Sequence, residues 1–444
     1  MEKSDLIIIG AGPGGYETAV EGAALGKKVT LIERDQPGGT CLNRGCIPTK
    51  TLCRSAEVAM TLAEAGEYGF ADVSSSLDFA KVMERKDKVV GELREGVKTL
   101  LKDVNVVYGD AKFKTASEIE VNGETYTAPE IIIATGSVPA LLPIPGKELA
   151  LTSDEILSLD RLPKSLCVIG GGVIGMEFAS VFAAFGTEVT VIEYCKEILP
   201  PFDAEIAKRL RMSLKRRGIN IITAAEVTSI REGAVVNYLV KGKEKSVSAE
   251  MVLMAVGRRP NLPEGITEAG AKLNRNAIAV NDDMTVVFED GKVPADVKVY
   301  AIGDVNGRCM LAHAATRQGK IALGLAEPTE VIPSAVFTVP ECAMVGLTEE
   351  RCAQEGRNVR VGKATFRANG KALAMGEPDG LVKMIVDADT DAILGCHICG
   401  AHAADLIQEV ATAMQSGLKA SAISSTVHAH PTLTEVVLAA VPEA

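Results

Sequence analysis

The stretch that decides the fold is residues 6–33, LIIIGAGPGGYETAVEGAALGKKVTLIE. Its first four residues are wholly apolar, as expected of a strand buried on both faces of a parallel sheet. Glycines follow at once, then a helical stretch and a second apolar strand that ends in an acid. In this order the glycines form a tight turn that lets a helix N-terminus approach a pyrophosphate, and the acid binds a ribose hydroxyl. This pattern, here called the dinucleotide fingerprint, predicts a dinucleotide site built from Gly10, Gly12, Gly15 and Glu33.

The same unit recurs later in the chain, where it begins with the apolar strand Leu166–Ile169. The matching residues are Gly170, Gly172, Gly175 and Glu193. In both copies the acid follows the first glycine by 23 positions. Each copy has its own ribose-binding acid, so the sequence predicts two bound dinucleotides. The glycines also argue against a transmembrane helix over residues 166–185, which hydropathy alone would suggest.

The second site favours NAD(H) over NADP(H). Glu193 would repel a 2′-phosphate and accept a hydrogen bond from a 2′-hydroxyl. The next residues, Tyr194 and Cys195, offer no arginine to bind a phosphate, and Lys196 is a poor substitute.

Two cysteines, Cys41 and Cys46, follow the first unit in the stretch GGTCLNRGCIPTK at 38–50. Pro48 suits the first turn of a helix, where its missing N–H costs nothing. The positive end of that helix would lower the pKa of both thiols. The spacing favours a dithiol/disulfide couple over a zinc site, whose cysteines come closer together and in larger sets. Two buried apolar cysteines are the simpler alternative, but they leave the flanking glycines and proline unexplained. A redox pair beside the first fingerprint predicts FAD there and NAD at the second.

The order of the apolar strands along the chain indicates one nucleotide-binding domain that is interrupted by a second and then continues after it. Glu130–Ile133 runs into a turn at Thr135 and Gly136, and Val299–Ile302 leads to Asp304. The last segment lacks a nucleotide fingerprint, which predicts a separate α+β unit. The fold class is therefore α/β, with two Rossmann-like domains, one inserted in the other. The expected boundaries are 1–142 (FAD-binding), 143–262 (NAD-binding), 263–331 (central FAD-binding part) and 332–444 (the separate C-terminal α+β unit, for which the family resemblance given below implies dimerisation).

Near the C-terminus, residues 428–435 read HAHPTLTE. Glu435 is placed to orient the imidazole of His430, which is the arrangement of a general base and its orienting acid. We expect Pro431 to start the next helix. A lone histidine more often serves packing, so the catalytic interpretation depends on the other motifs.

Composition excludes several classes of partner and site. The net charge is −11, which argues against a nucleic acid or an anionic membrane surface as partner. The N-terminal residues lead into a strand without a signal pattern, and we expect a cytoplasmic protein with mostly reduced thiols among its ten cysteines. Cys396 and Cys399 form a C-x-x-C pair, but on a strand such residues face opposite sides, so no metal site is predicted.

Taken together, these motifs resemble the disulfide-containing flavoprotein reductases of the pyridine nucleotide-disulfide oxidoreductase family, over essentially the whole chain. The resemblance implies that Cys41 meets the substrate disulfide and that Cys46 contacts the flavin. It implies that His430, with Glu435, reaches the active site of a partner subunit in an obligate homodimer. Further family positions are an ion pair of Lys50 with Glu177, FAD contacts at Thr40, Lys50, Thr135, Gly136, Asp304 and Ala312, and an NAD contact at Gly257.

Within this family the chain looks most like the members that oxidise dihydrolipoamide on a carrier protein with NAD⁺. The lipoyl carrier would belong to a 2-oxoacid dehydrogenase or glycine cleavage system, as a separate polypeptide. One alternative is a glutathione-type reductase, but these use NADPH, which Glu193 disfavours. Another is a mainly structural subunit of a complex, which would not need to keep Cys41, Cys46 and His430.

Overall fold

The computed structural model describes residues 2–443. The chain forms two compact units. The first contains the residues up to Thr51, Lys81–Ala140 and Gly257–Pro328, and the second contains Leu52–Ala80, Leu141–Val256 and the residues from Thr329 onward. The α-helices of the described part are α1 Pro13–Ala24, α2 Gly39–Arg44, α3 Cys46–Ala63, α4 Phe79–Leu100, α5 Val173–Ala184, α6 Ala204–Arg216, α7 Ala312–Ala322, α8 Glu349–Gln354, α9 Gly370–Ala374, α10 Ala403–Gln415, α11 Ala420–Ser425 and α12 Thr434–Ala439.

A five-stranded parallel sheet is the centre of the first unit. Its strands, in spatial order, are Lys298–Ala301, Glu130–Ile133, Leu6–Ile9, Val29–Glu33 and Asn105–Tyr108. Ile7 and Ile9 face one core cluster, while Leu6 and Ile8 face a second cluster that includes Ala19 of α1. Residues on both faces are therefore buried, which is why these strands are continuous apolar runs in the sequence.

The other strands of the first unit form smaller sheets. One has the order Glu2–Lys3, Glu124–Thr127, Glu118–Val121 and Lys112–Phe113. Two antiparallel pairs join Ser137–Pro139 to Arg258–Pro260 and Leu273–Asn274 to Ala277–Ile278. The first of these pairs places residues 257–262, which the sequence analysis grouped with the NAD-binding part, in the first unit.

The second unit contains a four-stranded parallel sheet and a three-stranded antiparallel one. Their strands are Asn220–Ile222, Glu188–Ile192, Ser165–Ile169 and Met251–Met254, and Ala225–Arg231, Val235–Val240 and Lys243–Ser248. Cys167 and Ile169 of the first sheet pack against Val236 and Tyr238 of the second. The predicted strand and helix over residues 166–185 are confirmed, and no helix in the described residues is both long and apolar enough to cross a membrane.

An antiparallel sheet forms the C-terminal part of the second unit. Its order is Ser334–Val336, Glu341–Gly346, Ile393–Gly400, Leu381–Asp387 and Val359–Thr365. Leu406 and Val410 of α10 and Val436 of α12 pack on Val382 and Met384 of this sheet. Helix α12 begins at Thr434, so the prediction that Pro431 starts the helix is wrong. The reason is a turn in which the Thr432 hydroxyl donates to the Ala429 carbonyl at 2.7 Å.

Candidate active site

The first glycine turn is too tightly packed for side chains at Gly10 and Gly15. Gly10 has φ +102°, and a Cβ at Gly15 would lie 1.8 Å from the Gly10 carbonyl oxygen. Gly12 is the N-cap of α1 and supplies no side-chain hydrogen bond. Side-chain caps do occur at other helices, where Asp203 caps α6 and Thr348 caps α8. The uncapped N-terminus of α1 is therefore available to an anion such as a pyrophosphate.

Glu33 is held at the end of its strand by two backbone donors. The Ala11 N–H donates to Oε2 at 2.7 Å and the Asp35 N–H donates to Oε1 at 2.8 Å. The residue is 8% exposed. These bonds fix the carboxylate beside the glycine turn, where each oxygen can still accept a ribose hydroxyl.

The second fingerprint repeats this geometry. Gly170 has φ +107°, and a Cβ at Gly175 would lie 2.1 Å from the Gly170 carbonyl oxygen. Glu193 accepts from the Gly171 N–H at 2.5 Å and the Cys195 N–H at 2.6 Å. Gly172 is the N-cap of α5, again without a side-chain cap. The same local sequence has thus produced the same acceptor and the same open helix end twice.

The cysteine loop packs directly on the first fingerprint. The Gly38 N–H donates to the Ala11 carbonyl at 2.7 Å. A Cβ at Gly39 would lie 2.5 Å from the Gly12 Cα, so only glycine allows this approach. Cys41 lies on α2, and Cys46 is the first residue of α3. The glycines that precede the first cysteine therefore bring the pair to the nucleotide turn.

Asn43 holds this loop in shape, a role that the sequence analysis did not assign. Its side-chain amide donates to the Gly39 carbonyl at 3.0 Å and the Pro37 carbonyl at 3.1 Å. Its Oδ1 accepts from Nε of Arg94 on α4 at 2.9 Å. Arg44, whose side chain is 42% exposed, pairs with Asp35.

The two sulfurs interact, and this corrects the expected thiol chemistry. The hydrogen bond to Cys46 raises the pKa of Cys41, and burial raises it further, while the charge of Lys50 opposes both. The prediction that the helix end lowers the pKa of both thiols is therefore wrong for Cys41. In a close pair of thiols the negative charge left by one ionisation disfavours the second. The reduced pair is suited to hold one proton between its two sulfurs.

Four further predicted flavin contacts, Thr135, Gly136, Asp304 and Ala312, lie in the first unit. Thr135 Oγ1 donates to the Asn261 carbonyl at 2.6 Å, and the Asn261 N–H donates to the Gly136 carbonyl at 2.9 Å. Asp304 accepts from the Ser137 hydroxyl. Ala312 begins α7, which has no side-chain cap. Asn261 thus fixes the turn that carries Thr135 and Gly136, although it lies 126 positions away in the sequence.

Ser137 and Gly257 complete this region. Nε of Arg258 donates to the Ser137 hydroxyl at 2.7 Å, which orients that hydroxyl towards Asp304. Gly257 has φ +106° and accepts from the Ala140 N–H at 2.9 Å. Its predicted contact with NAD stays a prediction.

Glu177 lies in the middle of α5 and is 3% exposed. Its Oε1 accepts from the Phe337 N–H at 3.0 Å. Lys50 follows Cys46 by four positions on α3, on the same face of that helix. The ion pair of Lys50 with Glu177 stays a prediction, as does the contact of Thr40 with the flavin.

His430 and Glu435 form the expected hydrogen-bonded pair. Nδ1 of His430 lies 2.9 Å from Oε1 of Glu435, and the imidazole is 79% exposed. Oε2 of Glu435 accepts from the Thr432 N–H at 2.9 Å. The bond from Thr432 and the bond from His430 lower the pKa of Glu435. The ionised carboxylate selects the tautomer with the proton on Nδ1, which leaves Nε2 as the basic nitrogen.

The C-x-x-C pair does not form a site. Cys396 packs in the core of the antiparallel sheet, whereas Cys399 is hydrogen-bonded to Cys342 on the neighbouring strand. Across residues 2–443 no group of three His, Cys, Asp or Glu side chains is placed to hold a metal ion.

Comparison with known proteins identifies the family. Residues 4–319 match the model of the pyridine nucleotide-disulphide oxidoreductases, and residues 332–441 match the dimerisation domain of the same family. The chain belongs to this family. Membership confirms the predicted α/β fold class and the predicted cofactors, FAD and NAD.

Relatives in the family agree over nearly the full length. The chain is 41% identical to a protein named dihydrolipoyl dehydrogenase from Bacillus subtilis (strain 168), covering 98% of this chain and 96% of the relative. It is also 41% identical to a dihydrolipoyl dehydrogenase from Thermus scotoductus, with coverage of 98% and 96%. Among solved structures, the HOCl-induced flavoprotein disulfide reductase RclA from Escherichia coli superposes with a TM-score of 0.84 at 30% identity, over 97% of this chain and 98% of that one.

Proposed function

We propose that this oxidoreductase oxidises dihydrolipoyl groups on a carrier protein to the cyclic disulfide, with NAD⁺ as the final acceptor. The observation that carries the proposal is the packing of the cysteine loop on the first nucleotide turn, through Gly38 with Ala11 and Gly39 with Gly12. A thiol pair held there is adjacent to the site where the fingerprint binds its cofactor. The likeness to proteins named dihydrolipoyl dehydrogenase supports the choice of substrate.

The residues of the first unit fit FAD. The open N-terminus of α1 would bind the pyrophosphate, Glu33 a ribose hydroxyl and Asp304 the ribityl chain. When bound, FAD supplies a two-electron carrier between the dithiol and NAD⁺. The second fingerprint would bind NAD⁺ through the N-terminus of α5 and through Glu193.

The protein side chains carry the thiol chemistry. In the oxidised enzyme, His430 Nε2 takes the proton of one dihydrolipoyl thiol, and the resulting thiolate attacks the Cys41 sulfur. The Cys41–Cys46 bond breaks, and a mixed disulfide forms between substrate and Cys41. The second substrate thiol then attacks the substrate sulfur of that bond and passes its proton to the departing Cys41 sulfur, while the first proton stays on His430. The substrate leaves as a disulfide, and the electron pair and one proton remain on the cysteine pair.

The elevated pKa of Cys41 suits this product. The hydrogen bond to Cys46 raises the pKa of Cys41, so the reduced pair retains one proton, which we assign to Cys41. Cys46 then holds the negative charge, which is the form that transfers electrons onward. We further propose a homodimer, built through the dimerisation domain at 332–441, in which His430 of one subunit serves the cysteines of the other.

The test is anaerobic NAD⁺ reduction by dihydrolipoamide, measured beside NADPH oxidation by glutathione disulfide. Cys41→Ser should abolish the first reaction and keep the flavin spectrum. The matched control is Cys352→Ala, which removes a buried thiol on α8 that has no part in the proposal. A wild-type enzyme with bound flavin that reduces glutathione disulfide but not NAD⁺ would refute the proposed substrate.

A further inference from the structure

His428 lies two residues before the proposed base and is held in a different environment. Its side chain is only 6% exposed, whereas that of His430 is 79% exposed. Nδ1 of His428 lies 2.9 Å from the Thr426 carbonyl oxygen, and Nε2 lies 2.9 Å from Oε1 of Glu409 on α10. Both ring nitrogens thus face oxygen atoms at hydrogen-bond distance.

These two partners determine the protonation state of the ring. A backbone carbonyl only accepts hydrogen bonds, so Nδ1 carries a proton. An ionised carboxylate also only accepts, so Nε2 carries one as well. The alternative, a neutral ring beside a protonated Glu409, is disfavoured because a glutamic acid is normally about two pKa units more acidic than an imidazolium. The geometry therefore describes an imidazolium paired with a carboxylate.

The surrounding charges support this assignment. Burial lowers the pKa of His428, but the bonds to Thr426 and Glu409 and the charge of Glu435 raise it, and the net shift is upward. In return, the charge of His428 lowers the pKa of Glu435. The charged groups that act on this ring are Glu409 of α10 and Glu435 of α12. Glu409 also acts on the buried Cys396 thiol, whose pKa is raised by burial and by the charge of Glu409, so this thiol remains neutral.

We propose that His428 is a positioning residue of the dihydrolipoyl reaction: a permanently charged imidazolium that fastens the segment 426–432 to α10 and acts electrostatically on the His430–Glu435 pair. This inference depends on the proposed role of His430 as the base. By holding this segment against α10, the bond between His428 and Glu409 fixes the position of the His430 ring. The positive charge of His428 also disfavours a further positive charge on the neighbouring pair, so its removal should change how the reaction rate depends on pH.

The protonation state is tested directly by NMR of the intact holoenzyme labelled with ¹⁵N in its histidine rings. The chain has 5 histidines, and loss of one signal in His428→Gln assigns the residue. We expect both ring nitrogens of His428 to show imidazolium shifts at about pH 8, well above the ordinary imidazole pKa of about 6.5. Glu409→Gln should bring deprotonation of this ring to lower pH. A neutral His428 ring in the wild type at pH 8 overturns the proposal.

Kinetics test the effect on the base. His428→Gln should lower kcat for dihydrolipoamide about three- to thirtyfold, less than the 10²–10⁴-fold that general acid–base catalysis contributes. It should also move the acid limb of the pH–rate profile to higher pH, with little change in KM. NADH oxidation by ferricyanide, which bypasses the thiols, should stay unchanged. The control is His402→Asn, at a histidine whose side chain is 56% exposed.

The outcomes separate this proposal from the proposed function. A His428→Gln enzyme that only unfolds at lower temperature, with wild-type kcat and pH profile, overturns the positioning role. If the wild type fails to oxidise dihydrolipoamide while it retains flavin, the proposed substrate is wrong, and with it the role assigned to His428 in that reaction. The NMR measurement would still establish whether the ring is charged.

Discussion

Two glycines of the second fingerprint separate nucleotide binding from folding. A Cβ at Gly172 meets no protein atom within 4 Å, whereas a Cβ at Gly175 lies 2.1 Å from the Gly170 carbonyl oxygen. Gly172 has φ −75°, which an alanine adopts without strain. Gly172→Ala should therefore fold normally and place its methyl group in the space we assign to the pyrophosphate. Gly175→Ala should instead disturb the turn itself.

The size of each effect follows from these contacts. Forcing an extra methyl into an occupied site costs about 1–3 kcal/mol. For Gly175→Ala this cost falls on the fold, and we expect the free energy of unfolding to drop by about that amount. For Gly172→Ala it falls on the bound nucleotide, which corresponds to a rise of about five- to 150-fold in the dissociation constant. The exchange of Gly172 for alanine at the N-cap should itself cost less than about 1 kcal/mol.

The assay combines flavin content, urea unfolding and the KM for NADH in the reverse reaction with lipoamide. Gly172→Ala should keep full flavin content and raise KM. Gly12→Ala, whose Cβ would meet only the Gly39 Cα at 3.9 Å, should instead lose flavin. A Gly172→Ala enzyme with wild-type KM refutes nucleotide binding at the N-terminus of α5. Loss of flavin in Gly172→Ala and of NADH binding in Gly12→Ala would show that the two cofactors are assigned the wrong way round.

Three further predictions concern buried polar groups of the second unit. Lys383→Met leaves Asp203 without the ammonium that now lies 2.9 and 3.1 Å from its oxygens, and urea unfolding should show a loss of about 3–5 kcal/mol, recovered in part by Lys383→Met/Asp203→Leu. Burial raises the pKa of Asp203, but Lys383 lowers it, and the net pKa is below the usual value. Burial lowers the pKa of Lys383, but the Glu349 and Asp203 carboxylates raise it, and the net pKa is above the usual value. Thermal unfolding should therefore show that Asp203 stabilises the fold above about pH 4, and that this contribution is lost as the pH falls through the folded-state pKa. Lys383 should stabilise the fold below about pH 10, and that contribution should be lost as the pH rises through its folded-state pKa. Cys342 and Cys399, which are fully buried, should resist alkylation in the folded protein, and mass spectrometry of labelled peptides would reveal any exception.

Sequence reasoning succeeded where the signal is local. The strand–glycine–helix–strand units were predicted because the apolar run, the glycines and the acid all lie within one short stretch. The positions of Glu33 and Glu193 follow from that spacing, and the structure gives the two acids equivalent backbone donors. The pairing of His430 with Glu435 was predictable for the same reason, since the two residues are five positions apart.

Contacts between distant parts of the chain were not predictable in this way. Arg258 and Ser137 are hydrogen-bonded although they lie 121 positions apart in the sequence, and His428 and Glu409 although they lie 19 apart. Neither stretch of sequence contains a pattern from which the partner could be identified. The thiol pKa was predicted in the wrong direction for a related reason. The helix end is a local feature and its effect is modest, whereas the hydrogen bond to Cys46 and burial act more strongly on Cys41 and depend on the folded loop.

The two fingerprints differ in what covers them, and this difference bears on how each nucleotide is used. The Cβ position of Gly12 faces the Gly39 Cα at 3.9 Å, because the cysteine loop lies over the first turn. The equivalent position at Gly172 has no protein atom within 4 Å. A nucleotide at the first turn would therefore be enclosed on one side by the redox loop, as suits a resident cofactor. A following segment also reaches back to the second turn, where the Leu199 N–H donates to the Gly171 carbonyl at 2.9 Å, but it leaves the Gly172 position open. A nucleotide at the second turn would have no such cover over Gly172, which would suit a nucleotide that exchanges as a substrate.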